Sequence, residues 1–337
     1  MYITMVPGPK NLITDVDGLR VGNAEDEKIK TGVTVLIGDY PLVTSYSVMG
    51  GAPGTRETDL LAPDKTIETV DALVLSGGST FGLDAATGVV DELKVAGKGL
   101  EVAGNIIPLV PAAILFDLNN GGDKTWESNP YPGLGSKAFN NSSLDFKLGS
   151  VGAGFGAQCG MMKGGLGSAS FTLDNGVTVG ALVAINPVGN VTDETGRNFW
   201  AAPFEIADEF GGLGPPLNSG HARSLANTKI SPIVERSNTT IGIVATDADL
   251  TKAQAQRLAT AAHDGLARAI VPSHLPFDGD LIFASTTRKV TIADKVYDFA
   301  EICHAASLCM ARAIARGVYH ATALPTDLLP TWEKLNS

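Results

Sequence analysis

Short apolar runs rich in β-branched residues alternate with stretches of helical period along the whole chain, and that alternation restricts it to sheets layered with helices. Residues 31–38 (TGVTVLIG) and 41–49 read as paired strands, with Asp39-Tyr40 as the turn between them. Residues 71–75 form a short apolar strand that runs into Ser76-Gly77-Gly78-Ser79, and 81–94 then has helical spacing through Leu83, Ala86, Val90 and Leu93. The stretch 119–150 is rich in Asn, Gly, Ser and Pro and reads as an irregular loop with one short helix. Strands at 168–173 and 177–185 are joined by Asp174-Asn175-Gly176, a strong hairpin signal. Residues 211–237 have little periodicity and suit a surface linker.

Order returns at 241–245, a buried strand. Thr251 and Gln254 then form a capping box for a helix whose apolar face runs through Leu258, Ala262, Leu266 and Ala269, and Pro272 stops it. A strand at 281–285 and a helix rich in small residues at 298–316 complete the pattern, with no internal repeat. A chain of 337 residues with this pattern is expected to form a single α/β domain spanning 1–337. Its 39 glycines mark tight turns and places where backbone approaches backbone or ligand.

Composition excludes several function classes. Only 18% of the residues are charged, against about 25% in a typical soluble chain, so disorder is not expected. The net charge of −11, with scattered Lys and Arg, argues against a nucleic-acid partner. Cys159, Cys303 and Cys309 are an odd number without metal-ligand spacing and read as reduced thiols. The five histidines (His221, His263, His274, His304, His320) form no metal motif, and no metal or other cofactor is implied. No export signal or membrane-spanning run is seen, and a cytoplasmic location is the expectation.

Chemistry concentrates at one junction. The irregular polar segment ends in Glu235-Arg236-Ser237-Asn238, and a strand begins at Thr239-Thr240-Ile241. If the Asn238–Thr239 bond is cut, Thr239 gains an α-amine with a reference pKa of about 7.7–8.0, near enough to neutrality to act as its own general base. Taken alone, Asn-Thr-Thr suits any loop that meets a strand. Five stretches together carry more: SGGSTFGLDAATGVV (76–90), AAILFDL (112–118), INPVGNV (185–191), NTTIGIVATDA (238–248) and PFDGDLIFA (276–284). In this order they resemble the L-aminopeptidase/D-amidase-esterase family of self-cleaving N-terminal-nucleophile hydrolases, including the endo-type 6-aminohexanoate-oligomer hydrolases that attack nylon oligomers.

The resemblance implies an αββα sandwich matured by cleavage into 1–238 and 239–337, with Thr239 as the nucleophile of an amidohydrolase. Asp278 and Asp280, one residue apart on a strand, share a face, so their charges interact and one is driven toward its protonated form. The resemblance gives this pair the part of a relay that holds the nucleophile and its amine. Asn186 is expected to donate its side-chain amide to the oxyanion, although Asn before Pro187 also suits a plain turn. Lys163 matches a site lysine of the oligomer hydrolases, and beside Thr239 it would depress the amine pKa. Phe116, Gly78 and Ser79 are placed near the oxyanion and the bound substrate. Phe116 stands where the oligomer hydrolases carry a Tyr, so the assisting hydroxyl is missing.

The substrate is then a small peptide or oligoamide, with the Asp-x-Asp pair favouring the oligomer-hydrolase branch over an aminopeptidase of β- or L-amino acids. Acyl transfer of the ornithine-acetyltransferase kind is the second enzymatic reading. A nucleotide-binding module, suggested by Val151-Gly152-Ala153-Gly154-Phe155-Gly156, is the third, but the run lacks the spacing of a phosphate-binding loop. Small residues at 305–315 suit close packing, so a homo-oligomer of αβ units is expected, with no membrane partner.

Overall fold

The computed structural model describes residues 5–216, 225, 228–230 and 238–337. The fold is carried by the strands β1 (Leu19–Asp26), β2 (Thr31–Val48), β3 (Thr69–Ser76), β4 (Ala112–Ile114), β5 (Gly165–Thr172), β6 (Thr178–Asn186), β7 (Thr239–Ala248) and β8 (Leu281–Val290). The main helices are α1 (Ala85–Val95), α2 (Tyr131–Asn140), α3 (Lys252–Ala269) and α4 (Tyr297–Tyr319). Strands are hydrogen-bonded in the order β5-β6-β7-β8-β2-β3-β4, with β1 on β2.

Alternation along the strands sorts their side chains into layers. On β6, Ala181, Val183 and Ile185 face one cluster that they share with Leu258 and Ala262 of α3 and Ala306 and Met310 of α4. Leu182 and Ala184 face the opposite way, into a cluster with Ile241 and Ile243 of β7, Phe283 of β8, and Leu36, Leu73 and Leu75 of β2 and β3. The other faces of β2 and β3, through Val33, Val35, Ala72 and Val74, pack on Ala86 and Val89 of α1 and Ala138 of α2. The succession helix, strand layer, strand layer, helix is the αββα sandwich expected from sequence.

β2 is the main departure from the expected elements. Residues 31–48 form one 18-residue strand rather than a hairpin. Ile37 pairs with Ala72 and Leu42 with Val70, so both halves run in the same direction along β3. Asp39, Tyr40 and Pro41 are exposed and bulge from the ladder instead of reversing it. The extra length lets β2 pair with β1 and β3 early and with β8 late, joining the two layers.

Elsewhere the local signals hold. The Asp174-Asn175-Gly176 hairpin joins β5 to β6, with Gly176 at φ +83. The capping box at α3 is formed, with Thr251 Oγ1 accepting from the Gln254 backbone N–H. The small residues of α4 are used inside the chain: a Cβ on Gly167 of β5 would lie 1.8 Å from the Ala313 carbonyl oxygen. That stripe therefore supplies no argument for assembly. Most of the expected linker at 211–237 lies outside the described residues, as does His221. Among the described residues no helix is long and apolar enough to cross a membrane, and no group of three or more His, Cys, Asp or Glu could hold a metal ion.

Candidate active site

Three strand ends meet at one edge of the sandwich. β6 runs antiparallel to β7, and β7 parallel to β8, so the last residue of β6 and the first residues of β7 and β8 are neighbours. Asn186 lies directly opposite Thr239, and Asn238 bridges to Asp278. Asn186, Asn238 and Thr239 are all buried.

The Thr239 hydroxyl lies 2.5 Å from the carbonyl oxygen of Asn238, the residue it follows. The same oxygen accepts the backbone N–H of Gly279 at 3.0 Å. A donor fixed on that oxygen polarises the carbonyl and would hold the charge of a tetrahedral adduct. Glycine is required at 279 by space, since a Cβ there would lie 2.6 Å from Thr239 Oγ1 and 2.7 Å from the Ala52 carbonyl. The Asp278-Gly279-Asp280 run thus contributes a peptide N–H and a vacant side-chain position as well as two carboxylates.

Asn186 is oriented by three partners. Its Oδ1 accepts from the Gln158 backbone N–H at 2.9 Å and from Lys229 Nζ at 3.1 Å, and its Nδ2 donates to the Phe116 carbonyl at 2.9 Å. An amide nitrogen has two N–H groups, and the Phe116 carbonyl takes one of them. Lys229 Nζ also reaches the Asn186 carbonyl at 3.1 Å. The sequence reading missed Lys229, which sits in a stretch without periodicity and is brought to Asn186 only by the tertiary fold.

Both carboxylates are fully buried. Asp278 accepts from the backbone N–H groups of Val188 at 3.1 Å and Leu275 at 2.9 Å. Asp280 accepts from the Thr240 N–H at 2.8 Å, the His274 N–H at 3.1 Å and His274 Nδ1 at 2.8 Å. Burial, and then the charge of Asp280, push the Asp278 carboxyl up to about 6. The expected interaction of the pair is present, but neither carboxylate bonds to Thr239 Oγ1. They brace the segments on either side of the nucleophile, Val188 after Asn186 and Thr240 after Thr239.

Three further expected site residues have partners other than Thr239. Lys163 is buried and ion-paired to Asp327 at 3.0 Å, and Asp327 also holds Lys30 at 2.8 Å. Burial lowers the Lys163 pKa, and its ammonium lines a small cavity behind Asn120, Gly156 and Gln158. The cation on Asn186 is Lys229. Gly78 and Ser79 do not line the Asn186 recess: the Gly78 N–H is bound to Asp117 Oδ1 at 2.7 Å and that of Ser79 to the Leu115 carbonyl at 2.9 Å. Both have positive φ, and a Cβ on Gly78 would meet the Tyr131 ring, so this turn is a support for Asp117. Phe116 does line the recess, and its backbone carbonyl accepts from Asn186 Nδ2, which does not replace the missing hydroxyl donor.

Asn119 links this narrow recess to a wider one of about 570 Å³ lined by Phe81, Leu118, Lys124 and Trp126. A larger hollow against α4, near Tyr297 and His304, contains none of these groups.

Comparison with known proteins gives the family and the fold. Residues 11–327 match Peptidase family S58. An uncharacterized aminopeptidase of Mycobacterium tuberculosis is 39% identical over 96% of this chain and 98% of its own length. The 6-aminohexanoate-oligomer endohydrolase of Paenarthrobacter ureafaciens is 27% identical over 85% of this chain and 77% of its own. Among solved structures, a Burkholderia sp. beta-aminopeptidase superposes with a TM-score of 0.72 at 22% identity, covering 99% of this chain and 94% of that one. The L-aminopeptidase D-Ala-esterase/amidase of Ochrobactrum anthropi, a variant of the Ntn hydrolase fold, does so with 0.67 at 19%, covering 98% and 94%. The chain belongs to peptidase family S58 and is a peptidase/amidase hydrolase of the Ntn fold.

Proposed function

We propose that the chain cuts itself between Asn238 and Thr239 and that the freed Thr239 is the nucleophile of an aminopeptidase or amidase acting on small peptides and amides. The observation that carries this reading is the convergence of Thr239 Oγ1 and the Gly279 N–H on the Asn238 carbonyl oxygen. In the self-cleavage, Oγ1 attacks the Asn238 carbonyl carbon and the Gly279 N–H holds the oxyanion. The hydroxyl proton passes to the Thr239 nitrogen as the C–N bond breaks, leaving an ester that water hydrolyses to the Asn238 carboxylate and the free Thr239 amine.

In turnover that amine takes the proton of its own hydroxyl as Oγ1 attacks the substrate carbonyl, and passes it to the leaving amine. The second N–H of Asn186 donates to the new oxyanion, and water releases the acyl group. The rest of the substrate extends past Asn119 toward Trp126. Greater identity to aminopeptidases than to the oligomer endohydrolase, 39% against 27%, supports a peptide or simple amide over a nylon-type oligomer. The Asp-x-Asp pair does not outweigh it, because both carboxylates brace backbone.

Intact mass and a denaturing gel test the first step: fragments 1–238 and 239–337 are expected, and a single chain from Thr239→Ala. A Thr239→Ala protein that still splits, or that retains full activity on alanyl amides, overturns the reading. Assays of β-alanyl and L-alanyl amides beside 6-aminohexanoate oligomers define the substrate class.

A further inference from the structure

Among the described residues, His274, in the loop between α3 and β8, is the histidine bonded to the acidic pair, and it has no part in the steps above. Its backbone N–H and its ring Nδ1 both reach Asp280 Oδ2, at 3.1 and 2.8 Å, while Asp280 Oδ1 holds the Thr240 N–H. Pointing both groups at one oxygen places His274 at φ +57, in the left-handed region that a non-glycine residue occupies only when its surroundings enforce it.

Those surroundings are specific. The ring packs edge-on against His263 of α3, with centroids 4.9 Å apart, and His263 Nε2 lies 3.0 Å from the Ser47 carbonyl of β2. A ring nitrogen facing a carbonyl carries its proton, so His263 Nδ1 is the bare nitrogen when that ring is neutral. Burial lowers the His263 pKa to about 4, which keeps it neutral near pH 7. His274 Nε2 is also buried and without a partner. An N–H at that nitrogen would be orphaned, at a cost of about 1–3 kcal/mol. The ring proton that finds a partner is therefore the one on Nδ1, directed at Asp280. Asp280 then has three donors and Asp278 has two. Of the other charged groups, Lys229 acts on Asp278 and Asp264 on His263.

We infer that His274 is a positioning residue that fixes Asp280 against the strand bearing Thr239, so that Asp278 is the carboxyl of the pair that takes up a proton first. The inference rests on the reading of Thr239 as nucleophile for its catalytic meaning, but the protonation pattern can be tested without turnover.

Carboxyl carbon NMR on the uncleaved Thr239→Ala chain reads both aspartates directly. Adding His274→Ala is expected to move the Asp280 titration up by about one pH unit or more, since a donor to the charged form is lost. His274→Asn tolerates the left-handed backbone and keeps a donor, and is expected to stay near the parent. In the cleaved enzyme the acid limb of the kcat/KM profile should move upward with His274→Ala and return with His274→Asn. Unchanged aspartate titrations in His274→Ala overturn the inference. If that variant does not fold, imidazole nitrogen NMR of the unsubstituted protein decides: a His274 Nδ1 without its proton at pH 7 also overturns it. Loss of the Thr239 reading would show separately, as activity surviving Thr239→Ala.

Discussion

Asn186 and Thr239 face each other across the antiparallel β6–β7 ladder, the last residue of one strand against the first of the other. This register fixes the separation of the two Cα atoms, because ladder partners are held by their backbones, and the hydrogen bonds of the Asn186 amide then orient it. A one-residue slip would turn Thr239 to the opposite face.

Removing the amide tests what that pairing does. Asn186→Ala is expected to lower kcat by about 10²–10³, the effect of deleting one oxyanion donor, while KM changes little. Steady-state kinetics on an alanyl amide measure it, and a kcat within twofold of the parent would remove Asn186 from the oxyanion site.

Gly279 has a steric role that a charge-based reading overlooks. A methyl group there would meet Thr239 Oγ1 at 2.6 Å. Gly279→Ala should slow self-cleavage by about 10²-fold, the cost of displacing a reacting group by roughly 1 Å, with the fold retained. Fragment appearance over time reads the rate, and cleavage at the parental rate would show that the hydroxyl does not need this space.

Lys229 and Lys163 separate a cation of the site from one of the scaffold. Lys229→Met removes the charge held on Asn186 and is expected to lower kcat about tenfold, the worth of one hydrogen bond to a charged group, about 1.5 kcal/mol. Lys163→Met leaves Asp327 with Lys30 as its remaining cation and is expected to lower thermal stability more than kcat. The reverse ranking would restore Lys163 to the site.

Asp278 makes stability depend on pH in a stated direction. Its folded pKa of about 6 lies above the unfolded value of about 3.9, so the protonated form favours the fold. The stabilisation is present in full below about pH 4 and is lost as pH rises through about 6, roughly 3 kcal/mol over the span. Urea unfolding of the uncleaved Thr239→Ala chain at pH 4 to 7 should show this slope. Asp278→Asn should remove the slope, with a constant offset from the N–H groups of Val188 and Leu275. Parallel curves for the two proteins would contradict the raised pKa.

Much of the scaffold was legible because its signals are local. The capping box at Thr251 and Gln254, the Asp174-Asn175-Gly176 hairpin and the strand beginning at Thr239 each depend on residues within a few positions of one another. The 39–41 segment misled for the same reason: a turn and a wide bulge have similar polar signatures, and only the pairing of both halves of β2 with β3 distinguishes them.

The sequence by itself determined the layer class, the junction at Asn238-Thr239 and the acidic pair Asp278 and Asp280, since periodicity and motif order are written along the chain. Tertiary structure decided which groups meet there. It brought Lys229 rather than Lys163 to Asn186, turned the carboxylates onto backbone N–H groups, and placed His274 on Asp280. These partners come from separate strand ends and loops, and their distances are set by how the two strand layers stack, which no local pattern encodes.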